Sequence, residues 1–160
     1  MSIIKLLVMD VDGTLTDGKI YMGSDGELMK AFDVRDGYAI AHMLPKMHIT
    51  PVIITGRRSR ITENRACELG ITALFQGVAD KPQALREVVR QFGCGCENVA
   101  YIGDDLNDLA CMALCGLTAC PADAAQPVRQ AADYVCRAKG GCGAVREWIE
   151  YIGDEYEADN

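Results

Sequence analysis

Short apolar runs alternate with helical patterns along this 160-residue chain, and this alternation limits the possible folds more than any other feature. Almost continuous apolar runs are typical of strands that are covered on both faces. Six segments have this character, the last two weakly: 3–9, 52–54, 73–75, 99–102, 117–119 and 134–135. Between them, Leu85, Val88 and Val89 have helical spacing and follow a helix start at Asp80-Lys81-Pro82. The alternation predicts a Rossmann-like α/β fold, a doubly wound parallel sheet with helices on both faces.

One segment interrupts this alternation, beginning after Asp17-Gly18. The runs 19–22 and 28–32 meet across Gly23-Ser24-Asp25-Gly26, a turn-forming sequence. The pattern predicts a β-hairpin flap over about residues 18–33 that projects from the loop after the first strand. No insert is large enough to form a cap domain.

Composition and charge describe one ordinary globular domain. We expect it to span residues 1–153, followed by a solvated acidic tail at 154–160 that contains no Lys or Arg. The net charge is −7 at pH 7, but six of the 23 acids lie after Arg146. The remainder is nearly neutral and has no basic stripe, which argues against nucleic acid and anionic membrane surfaces as partners. No apolar run approaches the ~18 residues of a membrane-spanning helix.

The N-terminus and the cysteines predict the location of the protein. The N-terminal apolar run stops at Asp10 without the cleavage site of a secretory signal, so we expect a cytoplasmic protein. The eight cysteines are then expected to be reduced thiols. Cys94, Cys96, Cys111 and Cys115 lack the spacing of paired zinc ligands, which favours small buried apolar side chains over a zinc site.

Polar side chains follow four of the predicted strands. In chain order they are Asp10 and Asp12, Thr55 with Gly56, Lys81, and Asp104. We expect them to meet, because ligands of open α/β sheets bind beyond the carboxyl ends of the strands. The carboxylates of Asp10, Asp12 and Asp104 would repel one another unless a cation lay among them. Since all these candidate ligands are oxygen atoms, Mg²⁺ is favoured over zinc.

This set of groups suits phosphate chemistry. A Mg²⁺ ion with open positions, a lysine and a threonine hydroxyl together form a receptor for a phosphate group. Asp10 would attack phosphorus and form an aspartyl-phosphate. Asp12 would protonate the leaving oxygen and later activate water. Asp108, four residues after Asp104, suits a supporting role, while Asp105 is expected to cap the following helix.

The same residues form four motifs: Asp10-x-Asp12-Gly13-Thr14, Thr55-Gly56, Lys81 and Gly103-Asp104-Asp105-x-Asn107-Asp108. In this combination they resemble the motifs of the haloacid dehalogenase (HAD) superfamily of phosphotransferases. Within it, nearly the whole chain resembles the small, capless 3-deoxy-D-manno-octulosonate 8-phosphate (KDO 8-phosphate) phosphatases. The segments that carry this closer resemblance are Thr16-Asp17-Gly18, Asp33-Val34-Arg35-Asp36-Gly37-Tyr38, Ile54-Thr55-Gly56-Arg57, Phe75-Gln76-Gly77 and Gly140-Gly141-Cys142-Gly143-Ala144-Val145-Arg146-Glu147.

The resemblance implies a reaction and a metal. It implies Asp10 as nucleophile and Mg²⁺ ligand, Asp12 as the acid/base that also coordinates through its backbone carbonyl, and Asp104 as the third protein ligand. The enzyme implied is a Mg²⁺-dependent phosphoric monoester hydrolase that acts in lipopolysaccharide biosynthesis.

The resemblance also implies how substrate is bound and how the chain assembles. The matching positions are Thr55, Gly56 and Lys81 for the phosphate group, and Arg35, Gly37, Arg57 and Arg65 for the sugar acid. A guanidinium group suits the carboxylate of a 2-keto-3-deoxy sugar acid, because it can bind both oxygens at once. Members of this group are homotetramers in which the hairpin and a neighbour's C-terminal segment close the active site.

Two positions depart from the group and leave alternative substrates open. Cys142 and Ala41 stand where arginines are often found, and losing two cations would weaken the binding of an anionic substrate. Arg57 favours KDO 8-phosphate, because the related phosphatases of nine-carbon acids (KDN or sialic acid 9-phosphate) tend to have an acid at that position. The alternatives are such a nine-carbon substrate or a generic sugar phosphate.

Two other functions share parts of this pattern. A phosphoacceptor receiver domain also has an acidic sheet edge, but its phosphorylated aspartate follows the third strand, where this chain has Gln76 after Phe75. A phosphomutase needs a cap that shields the aspartyl-phosphate from water, and no such insert is present. Hydrolysis is therefore favoured over both.

Overall fold

The computed structural model describes residues 3–158, which form a six-stranded parallel sheet with flanking helices and a separate hairpin. In chain order the strands are β1 (Leu6–Met9), β2 (Tyr21–Gly23), β3 (Gly26–Met29), β4 (Thr50–Ile54), β5 (Ala73–Phe75), β6 (Val99–Ile102), β7 (Leu117–Cys120) and β8 (Tyr134–Val135). The α-helices are α1 (Val34–Tyr38), α2 (Arg60–Glu68), α3 (Lys81–Gln91), α4 (Leu109–Met112), α5 (Gln126–Ala131) and α6 (Ala144–Ala158). Each of the six strand candidates in the sequence corresponds to a strand of the sheet.

The strand order of the sheet is β5-β4-β1-β6-β7-β8, and all its pairings are parallel. β1 lies in the interior, where Val8 pairs with Val52 of β4 on one side and with Tyr101 of β6 on the other. The chain builds outward from β1 in one direction and then crosses to β6, so the order reverses between β1 and β6. A crevice forms at such a reversal beyond the carboxyl ends of the strands, and this is where ligands bind in open α/β sheets.

Two cores, one on each face of the sheet, hold the layers together. Leu7 of β1 joins Trp148 in the core beneath α2, α6 and the segment 39–47 that follows α1. Its neighbour Val8 joins Leu85 in the core beneath α3, α4 and α5. Since alternate residues of a strand point to opposite faces, a strand buried on both faces must be apolar throughout. This arrangement confirms the predicted doubly wound sheet.

The helices differ from the sequence prediction in two places. After α1 the chain continues through a π-helical segment, Ala39–Met43, and a 3₁₀ turn, Leu44–Met47, which the sequence pattern did not reveal. The helix expected from Leu106 onward begins instead as a 3₁₀ turn, Leu106–Asp108, and Leu106 is 58% exposed. The tight turn has a local cause, because the Asp105 side chain caps it by accepting the backbone N–H of Leu106 at 2.8 Å.

The predicted flap is present as the antiparallel pair β2 and β3, in which Gly23 faces Gly26 across a two-residue turn. Its paired strands are shorter than the predicted segment. The hairpin exposes apolar side chains, Met22, Leu28 and Met29 among them, and buries the charged Lys30 at its base. This is the reverse of the usual arrangement for a surface hairpin.

The C-terminal part of the chain is more helical than predicted. α6 continues to Ala158, so most of the segment expected as a separate tail at 154–160 forms the last turns of that helix. Residues 159–160 lie outside the described range. Among the described helices, none has the length and apolar character needed to cross a membrane.

Candidate active site

Three carboxylates meet where β1 and β6 end. Asp10 follows β1, and Asp104 and Asp108 follow β6. One carboxylate oxygen of each lies within 4.8 Å of the other two. The pairing of Met9 with Ile102 sets this arrangement, because it brings the ends of the two strands side by side. The cluster therefore occupies the crevice that the strand order creates.

Burial and mutual repulsion make this cluster electrostatically unfavourable by itself. Burial raises the pKa of Asp104 to about 8, and the charges of Asp10 and Asp108 add to the effect. Burial and the charge of Asp108 also raise the pKa of Asp10, against the opposing charge of Lys81. A divalent cation relieves both costs, and an all-oxygen donor set suits Mg²⁺. The residues present therefore fit the metal that the sequence predicted.

Asp108 supports the cluster, and both of its carboxylate oxygens accept hydrogen bonds from protein groups. Its Oδ1 accepts hydrogen bonds from Lys81 Nζ at 2.9 Å and from the Tyr101 hydroxyl at 2.6 Å. Its Oδ2 accepts the backbone N–H groups of Asp104 at 3.0 Å and Asp105 at 3.2 Å. Because both oxygens are used, Asp108 orients Lys81 and the loop that carries Asp104. This is the supporting position predicted from its spacing.

Lys81 lies buried between the two carboxylates that flank it. It begins α3 after the N-cap Asp80, whose side chain accepts the backbone N–H of Gln83 at 2.9 Å. Its Nζ lies 3.2 Å from Asp10 Oδ1 and 2.9 Å from Asp108 Oδ1. Burial lowers the pKa of Lys81, but the two carboxylates outweigh it and the net shift is upward. The side chain therefore carries a positive charge next to the predicted nucleophile.

The loop after β1 fits closely around Asp104. Gly13 has a φ of 91°, and a Cβ at this position would overlap the Asp104 carboxylate. Thr14 donates from its hydroxyl to Asp104 Oδ1 at 3.1 Å. Asp12, which the sequence grouped with the other acids, points its carboxylate elsewhere and pairs with Lys30 of the hairpin. Among the described residues, the clustered carboxylates are therefore those of Asp10, Asp104 and Asp108. The part predicted for Asp12 in metal binding is played by its backbone carbonyl, and it stays a prediction.

The turn after β4 carries the predicted phosphate-binding pair. Thr55 is buried, donates its backbone N–H to Phe75 O at 2.9 Å and accepts from the backbone N–H of Val78 at 3.1 Å. Gly56 follows it and is exposed. These backbone contacts hold the turn against the end of β5.

Arg57 and Arg35 present their guanidinium groups to solvent. The Arg57 side chain is 43% exposed, and its nearest recorded acid is Glu27 of the hairpin, 3.9 Å away. The Arg35 side chain is 62% exposed and pairs with Asp33 at 2.8 Å. It also donates to the backbone carbonyl of Cys142 at 3.0 Å. Both cations remain open enough to meet an anionic ligand.

Arg65 and Gly37 lie against each other in the structure, and their predicted part in binding the sugar acid stays a prediction. The Arg65 side chain is only 18% exposed and lies with its guanidinium 5.6 Å from the centre of the Phe32 ring. Its Nη2 donates to the backbone carbonyl of Asp33 at 3.5 Å. A Cβ on Gly37 would overlap Arg65 Nη2, so this glycine lets the two elements approach. The pair supports the segment that carries Arg35.

Comparison with known proteins gives the family. The family model described as haloacid dehalogenase-like hydrolase matches residues 60–149, more than half of the chain. The chain belongs to the haloacid dehalogenase-like hydrolase family. Membership confirms the predicted superfamily and the hydrolase class. A phosphoacceptor receiver domain is thereby excluded.

Relatives within this HAD family are similar over most of their length. The 3-deoxy-D-manno-octulosonate 8-phosphate phosphatase of Yersinia pestis is 51% identical over 149 residues, which cover 93% of this chain and 79% of that protein. Its crystal structure superposes with a TM-score of 0.90, covering 93% of this chain and 80% of that chain at 52% identity. The Moraxella catarrhalis phosphatase in complex with magnesium, phosphate and KDO superposes with a TM-score of 0.89 at 42% identity, covering 93% of this chain and 85% of that chain. These likenesses confirm the predicted capless fold.

Two residues of this HAD site have no distinguishing sequence pattern. Tyr101 lies within β6 and donates its hydroxyl to Asp108, but the sequence shows it only as part of an apolar run. Lys30 lies at the end of β3 and pairs with Asp12. The sequence pattern carries no signal for Lys30, because only the structure shows that the apolar side chains of this hairpin face outward and that Lys30 faces inward.

Proposed function

We propose that this protein is a Mg²⁺-dependent phosphatase that hydrolyses KDO 8-phosphate, a step of lipopolysaccharide biosynthesis, through an aspartyl-phosphate intermediate. One observation carries the proposal: buried Asp10 lies 3.2 Å from the ammonium of Lys81 and next to Asp104, at the crevice between β1 and β6. The similarity to phosphatases of this specificity, one of them with magnesium, phosphate and KDO bound, supports it.

The metal would be held by the carboxylates of Asp10 and Asp104 and by the backbone carbonyl of Asp12. When bound, Mg²⁺ offsets the negative charge that the carboxylates and the phosphate group bring together. Asp108 takes no place among these ligands, because its oxygens are bonded to Lys81, Tyr101 and the backbone. It keeps Lys81 and the Asp104 loop in position.

The reaction then proceeds in two steps on the chain's own groups. A carboxylate oxygen of Asp10 attacks phosphorus, the ester bond breaks, and Asp12 gives its proton to the leaving oxygen. In the second step Asp12 takes a proton from water, which attacks the same phosphorus and releases phosphate from Asp10. Lys81 and the Thr55-Gly56 turn hold the phosphoryl oxygens through both steps.

Arginine side chains are proposed to select the sugar acid. Arg57 and Arg35 are exposed and suit the carboxylate of a 2-keto acid. Gly37 and Arg65 are proposed to line the same sugar-acid site, and they also contact the segment that carries Arg35. Cys142 is exposed and stands where arginine is frequent in this group, so one cation for a KDO-type substrate is missing, and a nine-carbon acid phosphate is the alternative substrate class.

The test is phosphate release from KDO 8-phosphate, KDN 9-phosphate, N-acetylneuraminate 9-phosphate and hexose phosphates, with Mg²⁺ and after EDTA treatment. We expect the highest kcat/KM with KDO 8-phosphate, and loss of activity with EDTA that Mg²⁺ restores. A preference for a nine-carbon acid would change the proposed substrate and leave the assignment as a phosphatase unchanged. Equal, slow turnover of all esters would indicate a generic sugar-phosphate phosphatase. Activity that is insensitive to EDTA would show that the mechanism needs no metal.

We further propose that the protein is a cytoplasmic homotetramer. The exposed apolar side chains of the hairpin, Met22, Leu28 and Met29, support self-association, because contiguous apolar surface of this kind marks interaction sites. Eight free cysteines support a reducing compartment. Light scattering on the purified protein is expected to give four times 17.4 kDa. A Leu28→Lys variant is expected to dissociate, and a stable monomer of the unaltered protein would contradict the assembly.

A further inference from the structure

We propose that Lys30 is a positioning residue for proton transfer: its ammonium group holds one oxygen of the Asp12 carboxylate so that the other oxygen carries the proton to the leaving group. The inference rests on the proposed function, in which Asp12 is the acid/base. It gives the hairpin a part in the chemistry in addition to covering the site.

Lys30 is placed for this role by burial and by two acids. Its side chain is 0% exposed, and its ammonium donates to Asp12 Oδ1. The ammonium also lies 3.5 Å from Oε2 of Glu27, three residues earlier in the hairpin. A buried ammonium group without acceptors is strongly unfavourable, so these two carboxylates determine where it rests.

Glu27 connects Lys30 to the start of α2. Its Oε1 accepts a hydrogen bond from the Ser59 hydroxyl. Ser59 is the N-cap of α2, and its backbone N–H donates to Gln76 Oε1 at 2.9 Å. It also lies two residues after Arg57, at the end of the predicted phosphate-binding turn. Glu27, one of the two carboxylates that Lys30 contacts, is therefore anchored to the start of α2.

The consequence for Asp12 is a restricted orientation. Its carboxylate has Lys30 on Oδ1, and no second partner for Oδ2 is found among the residues that the structure describes. A carboxyl group free to rotate would present its proton in several directions, and each unproductive orientation slows the reaction. With Oδ1 held, Oδ2 is the oxygen available for proton transfer.

The first step exchanges one oxygen–phosphorus bond for another and moves one proton. Asp10 forms an oxygen–phosphorus bond while the ester oxygen–phosphorus bond breaks, and the electron pair of the broken bond stays on the ester oxygen. That oxygen takes the proton from Asp12 Oδ2, which leaves Asp12 as a carboxylate. Lys30 keeps its own protons and its charge offsets that of the carboxylate. Water later returns a proton to Asp12.

The test compares two leaving groups. The alkoxide of a sugar phosphate needs a proton to leave, whereas p-nitrophenolate is a weak base and leaves without one. In single-turnover experiments with excess enzyme, we expect Lys30→Met to slow phosphoryl transfer from KDO 8-phosphate about 10²-fold, the contribution of one general acid. The release of p-nitrophenolate should slow less than about 3-fold, because Lys30 acts through Asp12 alone.

A double-mutant cycle and matched controls complete the test. In an Asp12→Asn background, Lys30→Met should add less than about 3-fold, because the residue through which it acts has been removed. Lys19→Met makes the same substitution at an exposed position before β2 and should leave both rates unchanged. Thermal unfolding checks the fold, and if Lys30→Met does not fold, Lys30→Gln replaces it under the same criteria.

Equal loss on both substrates, an undiminished effect in the Asp12→Asn background, or no loss at all would overturn the proposal. Failure of the proposed function would look different. If the wild-type enzyme hydrolysed another sugar phosphate and not KDO 8-phosphate, only the proposed substrate would be wrong. The rates with p-nitrophenyl phosphate would then be compared with the rates for that other sugar phosphate. Wild-type enzyme inactive on every phosphate ester would refute the phosphatase and Lys30's role with it.

Discussion

At the scale of single residues, the site buries charged side chains, and the cost of removing them from water is offset in part by neighbours of opposite charge. Asp10, Asp104 and Asp108 are crowded in a buried crevice, where each would by itself lose hydration. Lys81 compensates Asp10 and Asp108, at 3.2 Å and 2.9 Å. Asp104 has no cation beside it among the described residues, and burial together with the charges of Asp10 and Asp108 raises its pKa to about 8. The arrangement leaves room for one added positive charge.

The nucleophile can be tested by one substitution. We expect Asp10→Asn to reduce turnover at least about 10⁴-fold, because the amide cannot form the covalent intermediate. The melting temperature should stay the same or rise, since one member of a repelling group loses its charge. Phosphate release and thermal unfolding measure the two effects, and Asp25→Asn in the exposed hairpin turn is the matched control. Near-normal turnover of Asp10→Asn would refute the assignment.

At the scale of elements, the site is braced by the segment that leads into α6. This segment runs against the loop after β1, where the backbone N–H of Gly141 donates to Thr14 O at 3.2 Å. Gly140 approaches so closely that a Cβ there would overlap Gly13 O and lie 2.9 Å from Thr16 O. Backbone meets backbone at this contact, so no side chain can move aside. The loop that bears Asp12 and Gly13 is thereby fixed from outside.

The contact predicts a position-specific effect of glycine substitution. Gly140→Ala should lower the free energy of unfolding by about 1–3 kcal/mol, as overpacking does, and should reduce kcat because the β1 loop must shift. Gly153→Ala is the control, since its added Cβ meets Met47 at ordinary distances of 3.8 and 3.9 Å and lies within α6. We expect that variant to be as stable as wild type or more so. Urea unfolding of both variants checks the difference, and similar losses would disprove the close contact.

At the scale of the whole molecule, the carboxylate cluster links stability to pH and to the metal. The folded chain holds a proton on Asp104 up to a pKa of about 8, whereas the ordinary value is 3.8. Between these two values the folded state binds more protons than the unfolded state, so the contribution of Asp104 to stability falls as pH rises. A bound cation replaces that proton and removes the loss.

Thermal unfolding between pH 5 and pH 8 tests this linkage. Without metal, we expect the contribution of the cluster to lower the melting temperature as pH rises. Added Mg²⁺ should raise the melting temperature more at pH 8 than at pH 6, because at the lower pH it must displace a proton. Asp104→Asn should flatten both trends. A Mg²⁺ effect that grew toward low pH would contradict the assignment of Asp104.

The thiols of the molecule fall into an exposed, a half-buried and a buried set, with Cys94, Cys96 and Cys115 half-buried. Cys67 and Cys142 are exposed. Burial raises the pKa of Cys111 to about 11 and that of Cys136 to about 12, so these thiols stay protonated. We expect a thiol reagent such as DTNB to label the two exposed cysteines quickly in the native protein, the half-buried ones more slowly, and the buried ones only on unfolding. Mass spectrometry identifies the sites, and fast labelling of Cys136 would contradict the packing.

Most of the fold and much of the site could be predicted from the sequence. Strands buried on both faces are apolar throughout, so β1 and β6 were recognisable, and the residue after each strand has a fixed place at the sheet edge. This is why Asp10, Lys81 and Asp104 could be placed together from spacing alone. Asp108 was recognisable as a support because it follows Asp104 by four residues.

Contacts between distant surface segments were decided only by the tertiary structure. The Asp12 carboxylate turns to Lys30, eighteen residues away, because the hairpin folds its charged face inward. Arg65 packs on Phe32 and Asp33 because α2 and α1 meet there. A periodic pattern reports which side of an element is buried, but it does not report which distant side chain lies against it. The sequence alone therefore determined the sheet and its row of strand-end residues, and packing between elements decided which partner each charged side chain has.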